Sequence, residues 1–184
     1  MRTVDPRTKF TRRGVLRTTA AAVPAAALMA TGTTISPTAV WAQEAKALKP
    51  ATMATLVLMA RDIYPHDHLV DQYYIIAVSP WDGKAANDPA IKALIEDGVK
   101  MLDVAAGAKF GTKSYLGTPW EEQRVALLQD HEPTPFFRKI QGDLVVSLYN
   151  QHDLWPKFGY EGASADKGGY IHRGFNDVDW LPQS

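Results

Sequence analysis

Asp88-Pro89-Ala90-Ile91-Lys92-Ala93-Leu94-Ile95 is the stretch whose reading decides the fold. An aspartate followed by proline is a helix start. The carboxylate accepts the unpaired N–H groups of the first turn, and proline, with no N–H to strand, sits at the first helical position with φ already set. Behind it, Ile91, Leu94, Ile95, Leu102 and Ala105 recur at helical spacing and mark a buried stripe, with Gly107 as the expected stop. Two similar signals follow. Thr118-Pro119-Trp120-Glu121 reads as a capping box, in which threonine takes a backbone N–H and glutamate reaches back. Thr134-Pro135 opens a last helix with Phe137, Ile140, Leu144 and Leu148 inward, ending near Asn150. Upstream, Met53, Leu56, Val57, Ala60, Ile63 and Tyr64 form one face of a helix from Pro50 to Tyr64 that Pro65 stops. The run Tyr73–Val78 fits a short helix or a strand, and its length does not decide between them. The pattern predicts an all-α chain, a small helical bundle with no internal repeat.

From Trp155 onward the character changes. Gly159, Gly162, Gly168, Gly169 and Gly174 deny the segment regular helix, and period-two alternation is absent. Phe158, Tyr160, Tyr170, Phe175 and Trp180 are too many aromatics for a disordered tail, so ring packing must hold this backbone. The expected organisation is residues 1–42 as a leader, 43–154 as the bundle, and 155–184 as an irregular aromatic and glycine-rich C-terminal segment that binds a partner.

The leader rests on Thr11-Arg12-Arg13-Gly14-Val15-Leu16-Arg17, followed by a mild Ala- and Thr-rich run from Thr18 to Ile35. Thr11, Arg12, Arg13, Leu16 and Arg17 form a twin-arginine export pattern, an address read by the twin-arginine translocase on folded cargo. The apolar run buries little area per residue and makes a poor permanent span. Val40-Trp41-Ala42 is a cleavage box, with the cut expected after Ala42. The leader takes six basic residues and one acidic from a chain with 20 of each, leaving 14 against 19, a formal net of −5. An acidic remainder without a basic stripe argues against nucleic acid. The 142 residues behind the leader suit one domain that buries roughly 68% of its unfolded surface. There is no cysteine, so packing alone must stabilise it.

His66-x-His68, flanked by Asp62 and Asp67, is the nearest approach to a metal site; the competing reading is a helix-ending turn whose side chains satisfy backbone groups. His131, His152 and His172 are scattered and supply no third ligand at a recognisable spacing. No Cys-x-x-Cys-His, cysteine cluster ligand, dinucleotide glycine motif or nucleophile elbow is written in the chain. The expectation is a chain with no catalytic, cofactor-binding or metal residues of its own. The tail from Lys167 to Pro182 concentrates Tyr, Phe, Trp and Arg, the side chains that dominate interface energetics. A self-packed lid explains those aromatics as well.

Three stretches carry a resemblance: the twin-arginine leader; Leu58-Met59-Ala60-Arg61-Asp62-Ile63-Tyr64-Pro65-His66; and Phe158-Gly159-Tyr160-Glu161-Gly162 through Gly168-Gly169-Tyr170 to Arg173-Gly174-Phe175. In these the chain resembles the gluconate 2-dehydrogenase subunit 3 family, small subunits of membrane-associated flavin dehydrogenases. The resemblance implies an FAD-bearing catalytic partner subunit, often with a multihaem cytochrome c subunit. It also implies a periplasmic location with membrane association only through partners, and a role in maturation and co-export of the catalytic subunit. The family supplies no catalytic residues to carry over. The expected partner face uses Tyr64, His66, Tyr170, Arg173, Phe175 and Trp180. The alternative is a free-standing periplasmic domain that holds a metal or small ligand through His66 and His68. The leader reading makes one sharp prediction. A reporter fused behind residues 1–42 is exported, and the Arg12→Lys, Arg13→Lys pair holds it in the cytoplasm; unchanged export of the double variant refutes the address.

Overall fold

The computed structural model describes residues 41–172. Six α-helices and no strand occur among these residues: α1 (Pro50–Ile63), α2 (Asp71–Val78), α3 (Pro80–Asn87), α4 (Pro89–Phe110), α5 (Glu121–Asp130) and α6 (Pro135–Ser147). Two 3-10 turns follow, His152–Phe158 and Ser164–Lys167. The fold is all-α. Thr11, Arg12, Arg13, Leu16 and Arg17 of the export pattern, and Arg173, Phe175 and Trp180 of the expected partner face, lie outside the described residues.

Helix α1 is the axis of the bundle. Packed against α2, α4, α5 and α6, it buries Thr52, Met53, Ala54, Thr55, Leu56, Val57, Met59, Ala60 and Asp62. The sequence predicts a single apolar face. With neighbours all around, the helix is instead covered on nearly every side, and its small and polar residues are buried with the large ones. Its start has no side-chain cap of its own. Carboxylates from two other helices stand in: Asp82 accepts the N–H groups of Lys46, Ala47 and Leu48 at 2.8–3.0 Å, and Glu96 accepts from Lys49 N at 2.9 Å and the Thr52 hydroxyl at 3.0 Å. Burial alone would raise the Asp82 carboxyl; the three backbone donors outweigh it and hold its pKa below the usual range.

Two of the three predicted starts are built as read. Asp88 Oδ1 accepts from Ala90 N and Ile91 N, and Thr134 Oγ1 accepts from Phe137 N at 3.2 Å. The capping box is not. Helix α5 begins at Glu121 with Trp120 as its extended N-cap and no side-chain cap bond. Thr118 lies two residues too early; its hydroxyl donates to Ser114 O at 3.0 Å and meets Thr112 Oγ1 at 2.9 Å. Helix α4 also runs past the predicted stop. Gly107 is helical, and Gly111, with φ +69°, makes the left-handed exit by donating its N–H to Gly107 O. Phe110 packs on the core, which repays the extension. The undecided run at Tyr73 is helical, inside α2. Helix α3 has no counterpart among the predicted elements. Ser79, directly before Pro80, keeps helical angles (φ −50°, ψ −40°) against the usual bias, and fully buried Trp81 rewards the arrangement.

One polar network ties α1 to α5 and to the loop between α4 and α5. The Arg124 guanidinium donates to both Asp62 oxygens, at 2.7 and 2.8 Å, and its remaining N–H groups reach the carbonyls of Thr118 and Pro119. Tyr115, fully buried, donates its hydroxyl to Asp62 Oδ2 at 2.6 Å, while its own N–H is held by Asp103 at 2.8 Å. The bond to Asp62 raises the Arg124 pKa against the pull of burial. Burial first, and the Asp62 charge next, push the Tyr115 phenol far up.

Two predictions test the packing. Arg124→Met strands the Asp62 carboxylate, whose side chain is 2% exposed, and should cost about 3–5 kcal/mol in urea unfolding, whereas the triple change Asp62→Leu, Arg124→Met, Tyr115→Phe recovers most of that loss. A single-variant cost below about 1 kcal/mol contradicts the assignment. At Gly98, a Cβ would stand 2.2 Å from Phe136 Cγ, while at Gly142 it would meet nothing within 4 Å. Gly98→Ala should therefore lower stability by roughly 1–3 kcal/mol and Gly142→Ala raise it by up to about 1 kcal/mol, read as opposite Tm shifts.

Candidate functional site

The end of α1 aims the chain at the surface. Asp62 is locked inward by Arg124, and just beyond the last helical residue, Ile63, the half-buried Tyr64 and His66 follow. Arg61 fixes the exit from the other flank, donating to Asp71 Oδ1 at 2.7 Å and to Leu69 O at 3.3 Å, with its guanidinium 5.5 Å from the Tyr74 ring centre. The Tyr74 hydroxyl donates to Tyr64 O at 2.7 Å.

Tyr149, just beyond α6, collects the exposed rings. It meets Tyr64 edge-on at 5.6 Å between centroids, and its hydroxyl lies 2.8 Å from His66 Nε2. Phe158 closes the group at 4.9 Å from His66, 5.5 Å from His68 and 5.8 Å from Tyr149. Trp155 donates its indole N–H to Tyr149 O at 2.9 Å and packs edge-on against Tyr160 at 5.2 Å. Left-handed Gly159, φ +71°, turns the chain between Phe158 and Tyr160.

Beside this cluster runs an open trough of about 550 Å³, lined by Val145, Val146, Tyr149, Asn150, Trp155, Phe158 and Tyr160. Its rim is apolar yet wet: Val146 is 63% exposed and Tyr160 48%. A second hollow of about 450 Å³ shares Trp155 and Tyr160 and extends to His152, Glu161 and Lys167. Contiguous apolar surface of this kind marks an interaction site more often than single exposed residues do.

Of the expected partner-face residues, the structure brings Tyr64 and His66 together through Tyr149. Tyr170 is 59% exposed in the turn after Gly168-Gly169 and does not line the trough. Sequence reasoning missed Val145, Val146, Tyr149 and Trp155. The signal was present: with Leu144 and Leu148 inward, Val145 and Val146 must turn outward, an excess of apolar residues on a helix face that is exposed among the described residues.

The histidine pair is built as a socket for a ring. His66 and His68 stand 5.8 Å apart between centroids, and the His66 Nε2 atom is taken by Tyr149. Both oxygens of Asp62, the carboxylate that flanks the pair in sequence, are occupied by Arg124. Among the described residues, no group of three or more His, Asp or Glu side chains is placed to hold a metal ion. Burial, and after it the charge of His68, lower the His66 pKa. Burial also raises the Tyr149 phenol, with Tyr64 adding to the effect.

No protein-family model, no curated protein and no solved structure matches the chain. Its assignment so far is to a class, a small all-α helical bundle.

Proposed function

We propose that this chain is the non-catalytic small subunit of a periplasmic flavin-dependent dehydrogenase complex, of the kind formed by the gluconate 2-dehydrogenase subunit 3 family. It binds the FAD-bearing catalytic subunit in the cytoplasm, helps it mature, and lends it the Arg12-Arg13 address for export by the twin-arginine translocase. FAD, and haem c where a cytochrome subunit is present, belong to the partners.

One observation carries the reading. Two of the stretches that bear the resemblance, Leu58–His66 and Phe158–Gly162, are some ninety residues apart in sequence, yet they meet at the surface through the His66 and Phe158 rings, 4.9 Å apart. They meet beside the exposed aromatic trough, so the family-like residues and the apolar surface form one face. Exposed Tyr, Trp and Phe at low entropy cost are what a protein–protein hot spot requires. No helix among the described residues is long and apolar enough to cross a membrane, which fits membrane association through partners.

Val146 and Tyr160 provide the test, because both side chains are exposed. Val146→Asp combined with Tyr160→Ala should leave the Tm within about 2 °C of the parent, since surface changes rarely exceed ±0.5 kcal/mol. The same pair should abolish co-purification of flavoprotein from cells that express the whole complex. Wild-type yields of flavoprotein with the folded double variant would remove this face from the account.

A further inference from the structure

Phe158 sits on two imidazoles at once. His66 and His68 project from one short turn after α1, 5.8 Å apart, and the ring of Phe158 packs edge-on against both, at 4.9 and 5.5 Å. Tyr149 completes the socket through its 2.8 Å bond to His66 Nε2. This socket is the seat of the first 3-10 turn, whose other anchor on the α6 side is the Trp155 indole N–H bonded to Tyr149 O. Leu154, fully buried, anchors the middle of the turn in the core, so the histidine pair and Tyr149 set the position of its Phe158 end.

We propose that the histidine pair makes this seat acid-sensitive: with both rings neutral the Phe158 socket is closed, and with both protonated it opens and the aromatic trough loses its shape. A single imidazolium is tolerated, because the exposed His68 ring can keep its charge hydrated. The second charge, less than 6 Å from the first and on the same apolar ring, is not.

The surrounding groups do little to offset it. On the same turn, Asp67 is exposed to solvent. From α1 and its end come Tyr64, whose ring packs on Tyr149, and Arg61, which adds positive charge but is paired with Asp71 from α2. From α2 comes also Tyr74, committed to Tyr64 O, and from the end of α6 comes Tyr149. The 3-10 turn brings Lys157, whose ammonium lies 5.7 Å from the Tyr73 ring centre, a further positive charge. The sign follows from linkage. Burial and the His68 charge hold the His66 pKa down, so the folded chain binds this proton less readily than the unfolded chain does. The stability that His66 contributes is complete above the ordinary histidine range, near pH 6.5, and is lost as pH falls below it.

The seat is a property of this chain alone; only its consequence, weaker hold on the catalytic subunit in acid, rests on the function proposed above. The His152 ring lies 4.1 Å from that of Trp155, so the test is an NMR titration of the purified His152→Gln protein from pH 8 to pH 4.5, following the imidazoles and the Trp155 indole N–H. His66 should titrate below the ordinary histidine value, and the Trp155 signal should move with it. His68→Gln, a change at an exposed side chain, should raise the His66 midpoint and carry the Trp155 transition upward with it. An unmoved Trp155 signal while both histidines titrate overturns the inference, as does a His66 midpoint indifferent to His68→Gln. If the seat behaves as described but the catalytic subunit stays bound at pH 5, the proposed function loses this face while the switch stands.

Discussion

The Asp62–Arg124 pair is the interaction on which the rest of the structure depends. A helix surrounded by four others leaves no water for a carboxylate on its inner side, and an uncompensated buried charge costs several kcal/mol. Arg124 meets that charge with two parallel bonds, and Tyr115 fills the remaining acceptor position. One side chain thus fixes the rotation of α1, the docking of α5 and the path of the loop between α4 and α5. Replacing the whole network with apolar residues of similar volume need not weaken the fold, whereas removing one partner does.

That constraint reaches the surface just past the end of α1. The chain leaves helical angles at Tyr64; the Tyr64 and His66 rings meet Tyr149, and His66 also meets Phe158. Core and candidate site are mechanically continuous: what holds α1 also aims the aromatic face. The stretch Arg61-Asp62-Ile63-Tyr64-Pro65-His66 therefore divides its duties. Arg61 and Asp62 build the scaffold, and Tyr64 and His66 shape the outer surface. A partner that buries the trough would remove exposed apolar area already ordered by ring packing, which limits the entropy lost on binding.

Much of the bundle is legible in the sequence because it is local. The caps at Asp88 and Thr134 need only side chains that reach their own first turn, and the stripe of α6 needs only helical spacing. The failures are of another kind. The box at Thr118 was displaced by Arg124, which captures the carbonyls of Thr118 and Pro119 from a position no spacing rule could supply. The extension of α4 to Phe110 depends on the core contact of Phe110, and α3 depends on burying Trp81 just after Pro80. The start of α1 is capped by Asp82 and Glu96, 34 to 47 residues away, which leaves no local trace. At the site, Tyr64 and His66 were readable as the end of a motif. Their meeting with Phe158 was not, because it is a long-range contact made by a segment with almost no regular structure.

The central claim is that the chain lives and works bound to a flavoprotein. It is tested most directly by isolating the chain, tagged at its C-terminus, from the envelope of cells that make it at native levels, and measuring its native mass together with its visible absorption. The account predicts a heteromeric species with one larger subunit and a flavin spectrum. A colourless monomer as the main species, with no larger subunit attached, would contradict it.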